Sequence, residues 1–314
     1  MKLSSLFEKK TFVITGEVGP VKGDMHRGRS ASPACLAEAE QIKSFVQAVN
    51  VTDNQSAVMR LGSLAASVRL KERGIEPVFQ MTCRDRNRIA LQSDLLSAYS
   101  LGIDNVLLLT GDHITLGDHK EARPVFDLDS VQLIKMASGL RQGFDLVGNT
   151  LTNPPDLCLG AVVNPGADPL ELQLLKMKKK IQAGADFFQT QAVYDADAFK
   201  RFMDLVQPFD CPVQVGVVVL KSAAMGRFMN KNVSGITVPQ AWIDEIEGVA
   251  KTDRRKKAAE MTGRFLKQVK SHVQGVHIMP LGWVDIVPDI LGHADIEIPD
   301  GQPNAEAISA QEVA

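Results

Sequence analysis

One carboxylate, Glu17, interrupts an otherwise apolar run near the start of the 314-residue chain. A carboxyl group inside such a run is costly unless it is paired or used. It is either an acid bound to a neighbouring lysine or to backbone amides, or a proton donor in a reaction. A second carboxylate, Asp112, follows a glycine in Thr110-Gly111-Asp112. It either caps the following turn or faces a ligand that approaches the backbone closely at Gly111. Gln191 is either a satisfied core amide or a group that offers donor and acceptor to the edge of a heterocycle. His113 and His119 share a stretch with Asp112 and Asp118, but that spacing is a weak metal signal. They are read as exposed loop histidines, and no metal site is assigned. No G-x-G-x-x-G follows an apolar run and no P-loop pattern occurs, so neither kind of phosphate-binding loop is indicated.

The elements that must position these residues are visible as punctuation. Eight strand-length apolar runs span residues 12–19, 48–53, 77–83, 105–112, 158–164, 187–194, 212–219 and 275–282. Continuous apolar runs fit strands buried on both faces, as in a parallel sheet. Between them lie helical spacings, such as Leu91, Leu95, Leu96 and Tyr99, or Leu170, Leu174, Leu175 and Met177. The second is followed by Lys178, Lys179 and Lys180, read as an exposed run. Glycines 74, 102 and 184 stand where helices should stop. Eight alternations predict a single (β/α)8 TIM barrel spanning residues 1–294, with an open doubly wound sheet as the alternative. The long interval 221–275 predicts two inserted helices after strand 7, at 239–249 and 252–272, with a solvated basic patch at 254–257. Residues 295–314 lack Lys and Arg and are read as an acidic, mobile tail.

Composition bounds the function. Formal net charge is −2, with 45% hydrophobic and 23% charged residues, an ordinary globular balance. It lacks the basic footprint of a nucleic-acid binder. The four cysteines show no C-x-x-C spacing and read as reduced thiols. The first ten residues contain no signal core, and no run of 18 apolar residues occurs. A cytoplasmic protein with no membrane partner is expected.

In a β/α barrel the catalytic groups stand at the C-terminal ends of the strands. There this chain reads Glu17, then Asn50-Val51-Thr52, then Met81-Thr82-Cys83, then Thr110-Gly111-Asp112, then Ala185-Asp186 leading to Thr190-Gln191. This ordered set resembles the methylenetetrahydrofolate reductase family, over residues 12 to about 291. The resemblance implies a β/α barrel carrying a flavin, usually FAD, that reduces 5,10-methylenetetrahydrofolate to 5-methyltetrahydrofolate. It implies that Glu17 is the general acid and that Asp112 lies near pterin and flavin. It also implies that Gln191 binds the folate and that Phe228 packs on it. Thr52, Leu109, Gly111 and Lys180 match flavin-touching positions, as do Gln80, Thr110 and Phe126 with altered residue types.

Those alterations carry information. Gln80 replaces a histidine common in the family, Thr110 an arginine and Phe126 a tyrosine. After strand 7 the chain reads Gly216-Val217-Val218-Val219 in place of Gly-Ile-Leu-Pro. The changes bear on the adenine-diphosphate end of FAD and leave FMN as a second choice. They also resemble members from anaerobes that work beside an iron–sulfur or zinc-containing subunit. The electron donor is therefore NAD(P)H or a partner subunit, and an oligomer is expected. Two other readings stay open. One is a flavoprotein subunit of an electron-transfer complex without direct NAD(P)H activity. The other is a flavin-free barrel that binds a folate and passes on its methyl group.

Overall fold

Strands rich in Val, Ile, Leu and Phe on both faces are stable only where other elements cover both faces. The computed structural model, which describes residues 1–23 and 34–298, meets that need with a barrel. Strands β1 (Val13–Val18), β2 (Ala48–Val51), β3 (Pro77–Thr82), β4 (Asn105–Leu109), β5 (Cys158–Val163), β6 (Phe187–Ala192), β7 (Val213–Val218) and β8 (Gly275–Met279) pair in chain order and close. All pairs are parallel, and Thr15 opposite His277 lies in the β1–β8 seam that completes the ring. All eight expected strands are present.

Helix α1 (Leu3–Glu8) precedes β1. Helices α2 (Ala34–Ile42), α3 (Ser63–Lys71), α4 (Arg88–Ser100), α5 (Ser130–Arg141), α6 (Leu170–Gln182) and α7 (Ala196–Val206) follow β1 to β6 in turn. The glycines expected to end helices do so: Gly74, Gly102 and Gly184 have φ of +71°, +79° and +110°. Between β7 and β8 lie three helices, α8 (Ala223–Asn232), α9 (Gln240–Glu247) and α10 (Arg254–Val269), and α11 (Val287–His293) follows β8. The expectation of two inserted helices is corrected by α8. Its buried face is Ala223, Gly226 and Met229, two of them small, which gives little apolar period to read.

Ile296 is buried and Ile298 packs against the core, so the covering layer runs to the end of the described residues. The rest of the acidic tail, 299–314, lies outside the described residues. No helix among the described residues is long and apolar enough to cross a membrane.

Alternate residues of each strand point inward and stack in layers. The lowest layer holds Val13, Ala48, Val78, Leu107, Cys158 and Phe187, plugged from below by Leu3 and Phe7 of α1. Above it the interior turns polar at Thr15, Asn50, Gln189, Gln214 and His277, all buried. Higher still, Glu17, Thr52, Gln80, Thr82 and Gln191 face the open end.

Candidate active site

A cavity of about 410 Å³ occupies the C-terminal mouth of the barrel, within the size range of small-molecule sites. Inward-facing positions of β1, β3, β4, β5, β6 and β8 form its floor, and the loops after β2, β3 and β4 form one wall. Of the residues singled out in the sequence, Glu17, Thr52, Gln80, Leu109, Thr110, Gly111, Asp112, Lys180 and Gln191 all line it. Phe126 and Phe228 do not. Phe126 has φ of +40° and stacks on His113 at 6.1 Å. Phe228 stands on α8, 61% exposed.

Glu17 sits two residues above Thr15 on the inner face of β1, with 11% of its side chain exposed. Gln80 Nε2 donates to its Oε2 at 3.2 Å. His277 Nε2 lies 3.4 Å from the same oxygen. Among the described residues Glu17 has therefore found neither a lysine nor backbone amides, the structural alternative for an acid in this run. Its described neighbours are an amide and an imidazole on one oxygen, and its other oxygen is the one available to a ligand. His277 escaped the sequence reading, although a histidine inside Gly-Val-His-Ile-Met is a visible anomaly.

The β2 and β3 ends are fixed by buried charge. Asp53 accepts from Thr82 N at 3.0 Å, Thr82 Oγ1 at 2.9 Å, Ser63 Oγ at 3.2 Å and Arg86 Nη1 at 2.7 Å. Arg84, fully buried on the cavity wall, pairs with Asp85 and donates to the main-chain oxygens of Asn54 and Asp112 at 3.2 and 3.3 Å. It thereby ties the β2 loop to the β4 loop. Asp53 and Arg84 were not singled out, because position beside a site is not visible in residue type.

Asp112 does not cap the next turn. His113 holds that position, accepting from Thr115 N at 3.3 Å. Asp112 Oδ2 instead accepts from Ser56 N at 3.1 Å and remains exposed at the rim. Gly111 has φ of +91°, and a Cβ there would come within 2.9 Å of Thr82 Cβ. Its glycine is thus required by backbone conformation and by the neighbouring strand, before any ligand is considered. Thr110 Oγ1 accepts from Ser130 N at 3.2 Å, anchoring the start of α5. A capping box between Asp129 and Gln132 completes that helix start.

A bulge in the β6–β7 pairing between Gln189 and Ala192 redirects the end of β6. Thr190 Oγ1 accepts from Gly216 N at 2.8 Å. Gln191 uses its own oxygen to accept from Ala192 N at 3.1 Å, which leaves its N–H groups as what it can offer a ligand.

Two features call for a ligand. Thr52 Oγ1 is buried on the cavity wall without a hydrogen-bond partner among the described residues, a situation that is rare and costly in folded proteins. Lys180, expected in an exposed lysine run, is instead buried, with Nζ donating to Val162 O at 2.6 Å. The correction is one of helix phase: Met177 and Lys180, three apart, are the buried positions of α6, while Leu172 and Leu175 are exposed. Burial, with Lys176 nearby, pushes the Lys180 ammonium down to about 8, against a smaller opposing pull from Asp129. Among the described residues, no group of three or more His, Cys, Asp or Glu could hold a metal ion.

The family model described as methylenetetrahydrofolate reductase matches residues 2–295. "Methylenetetrahydrofolate reductase 1" of Schizosaccharomyces pombe is 26% identical over 195 residues, 60% of this chain and 30% of that one. "5,10-methylenetetrahydrofolate reductase" of Salmonella typhimurium is 29% identical over 136 residues, 43% of this chain and 40% of that one. The matches thus span less than half the length of either relative. Among solved structures, an uncharacterized Clostridium thermocellum protein described as binding two copies of 5-methyl-5,6,7,8-tetrahydrofolic acid superposes with a TM-score of 0.61. It covers 93% of this chain and 100% of that one at 15% identity, a likeness of fold. With a family match across nearly all of the barrel, the chain belongs to the methylenetetrahydrofolate reductase family.

Proposed function

We propose that this chain is a flavin-dependent reductase that converts 5,10-methylenetetrahydrofolate to 5-methyltetrahydrofolate in the cytoplasm. The observation that carries the reading is Glu17 on the cavity wall, one oxygen held by Gln80 beside His277 and the other available to a ligand. Membership of the family supplies the substrate class.

The cavity residues fit a flavin. Thr52 Oγ1 is an orphaned buried polar atom that a heterocycle edge would satisfy. Lys180 is a buried cation that an anionic group would stabilise. Leu109 and Gly111 would contribute apolar and backbone contact, and Gln80 and Thr110 border the same space. When bound, the flavin supplies the hydride. FAD is the first choice and FMN the second.

Glu17 donates its proton to the ring nitrogen that must leave, which opens the five-membered ring of the folate to an iminium able to accept hydride. The proton returns to Glu17 from solvent after product leaves. Gln191 offers N–H groups to the pterin edge, and Asp112 places a carboxylate at the rim. The donor that reloads the flavin is NAD(P)H or a partner subunit, and the functional state is an oligomer.

The test is the visible spectrum of purified protein, followed by flavin extraction and identification. A yellow protein whose reduced form is reoxidised by methylenetetrahydrofolate, yielding the methyl product, is expected. A colourless protein that gains no visible absorption with FAD or FMN overturns the reading. Anaerobic bleaching by NADH, or its failure, assigns the donor.

A further inference from the structure

The proposed chemistry leaves unexplained why the barrel buries five polar side chains beneath Glu17. Thr15, Asn50, Gln189, Gln214 and His277 are each at most 3% exposed. Gln214 Nε2 faces the main-chain oxygens of Val13 and Val276 at 3.1 and 3.3 Å. Carbonyl oxygens only accept, so this end of the amide is its NH2 and Oε1 points the other way. Oε1 accepts from Gln189 Nε2 at 3.0 Å. Gln189 Oε1 in turn accepts from Asn50 Nδ2 at 2.7 Å. The backbone thus sets the direction of the donors through the layer.

Both glutamine NH2 groups reach Thr15 Oγ1, each at 3.3 Å. Each NH2 has two other acceptors as near or nearer, Val13 O and Val276 O for Gln214 and Gln214 Oε1 and Asn50 Oδ1 for Gln189. Thr15 Oγ1 therefore shares their hydrogens as a third acceptor, and the hydroxyl still has its own proton to place. His277 Nδ1, at 3.0 Å, is nearer than Val276 O at 3.4 Å. With Nδ1 as donor the hydroxyl would turn to Val276 O, already an acceptor for Gln214; with Nδ1 as acceptor the neutral imidazole holds its proton on Nε2. Nε2 lies 3.4 Å from Glu17 Oε2. In this tautomer an N–H edge faces the carboxyl group, whereas the other tautomer would face it with a lone pair.

We propose that the buried layer locks His277 as its Nε2–H tautomer and so makes it a positioning residue for Glu17. With Gln80 it holds Oε2, leaving Oε1 to carry the proton that is transferred. The positioning role rests on the reading of Glu17 as proton donor; the tautomer does not.

The tautomer is measured by 15N NMR of the full chain labelled in its histidine rings, with His277→Gln identifying the signals. The expected result is a protonated Nε2 and a bare Nδ1, altered in Thr15→Val and kept in Thr15→Ser. A proton on Nδ1 of the native chain, or an unchanged pattern in Thr15→Val, overturns the lock. Positioning is read in the folate half-reaction. His277→Leu should slow it by about 10²-fold, the scale of a misplaced catalytic group, with flavin reduction unchanged and part of the loss recovered in His277→Gln. An undiminished rate in His277→Leu overturns the positioning role. If Glu17→Gln leaves that half-reaction untouched, the reading of Glu17 fails, while the NMR result still decides the tautomer.

Discussion

The two ends of the barrel interior are built from the same strands, yet they bury opposite kinds of side chain. At the lower end Val13, Val78, Leu107 and Phe187 interdigitate above a helical plug. Two residues higher on the same strands stand Thr15, Gln80, Leu109 and Gln189, three of them polar and two of these joined by a hydrogen bond. The lower layer gains stability from area removed from water. The upper layers face a cavity and bury polar atoms that must be paired or used. A strand repeat of two residues lets one barrel carry both arrangements without conflict.

The comparison breaks most visibly at Phe187, which is fully buried against Phe7 at 5.6 Å between ring centres. Its ring occupies space that a Cβ on Gly160 would enter. Phe187→Ala should cost about 3–5 kcal/mol of stability, read as a shift in urea midpoint, with ligand affinity unchanged in the fraction that remains folded. A loss under about 1 kcal/mol would mean that the lower layer is not a packed core. In the middle layer the cost has another origin. Gln189→Leu keeps volume but strips partners from Asn50, Thr15 and Gln214, and should cost about 1–3 kcal/mol. A neutral Gln189→Leu would show that water or rearrangement re-pairs these groups, and the layer would lose its structural meaning.

The effect at the mouth depends on pH. Lys180 has a folded value of about 8 against 10.5 for an ordinary lysine. Between those values the unfolded chain holds a proton that the folded chain has released, so native stability rises with pH across the window. Below about pH 8 the full penalty of burying the charge is present. The stability of the native chain relative to Lys180→Met should therefore improve from pH 8 to 10.5, measured as paired urea midpoints. A pH-independent difference would place Lys180 in contact with solvent. An anionic ligand held there should bind less tightly above pH 8, because the cation that attracts it is lost.

The contrast also shows what residue order reveals. The strands were legible because both faces of each are largely apolar, a pattern that needs no knowledge of neighbours. That same uniformity hides which residues point inward, so His277, though an anomaly of type inside its apolar run, and the amides of the middle layer could not be placed in the barrel interior. Lys180 was hidden by its place in a lysine run, since only helix phase separates it from Lys178 and Lys179. Helix α8 was hidden by its small buried residues. Glu17, Asp112 and Gln191 were legible because polar types at strand ends are anomalous there. Asp53 and Arg84, equally polar, hold the loops through long-range pairs that a linear chain does not display.

Glu17 is where the two ends of the comparison meet, a carboxyl group on an inner strand face that turns from packing to chemistry. Stopped-flow kinetics of Glu17→Gln, one half-reaction at a time, tests its assigned role directly. Glutamine keeps the shape and the contact with Gln80 but cannot release a proton. Reoxidation by methylenetetrahydrofolate should slow by about 10²–10⁴-fold, while reduction of the flavin by its donor proceeds at the native rate. Equal slowing of both halves, or no slowing of reoxidation, would contradict the assignment of Glu17 as the proton donor.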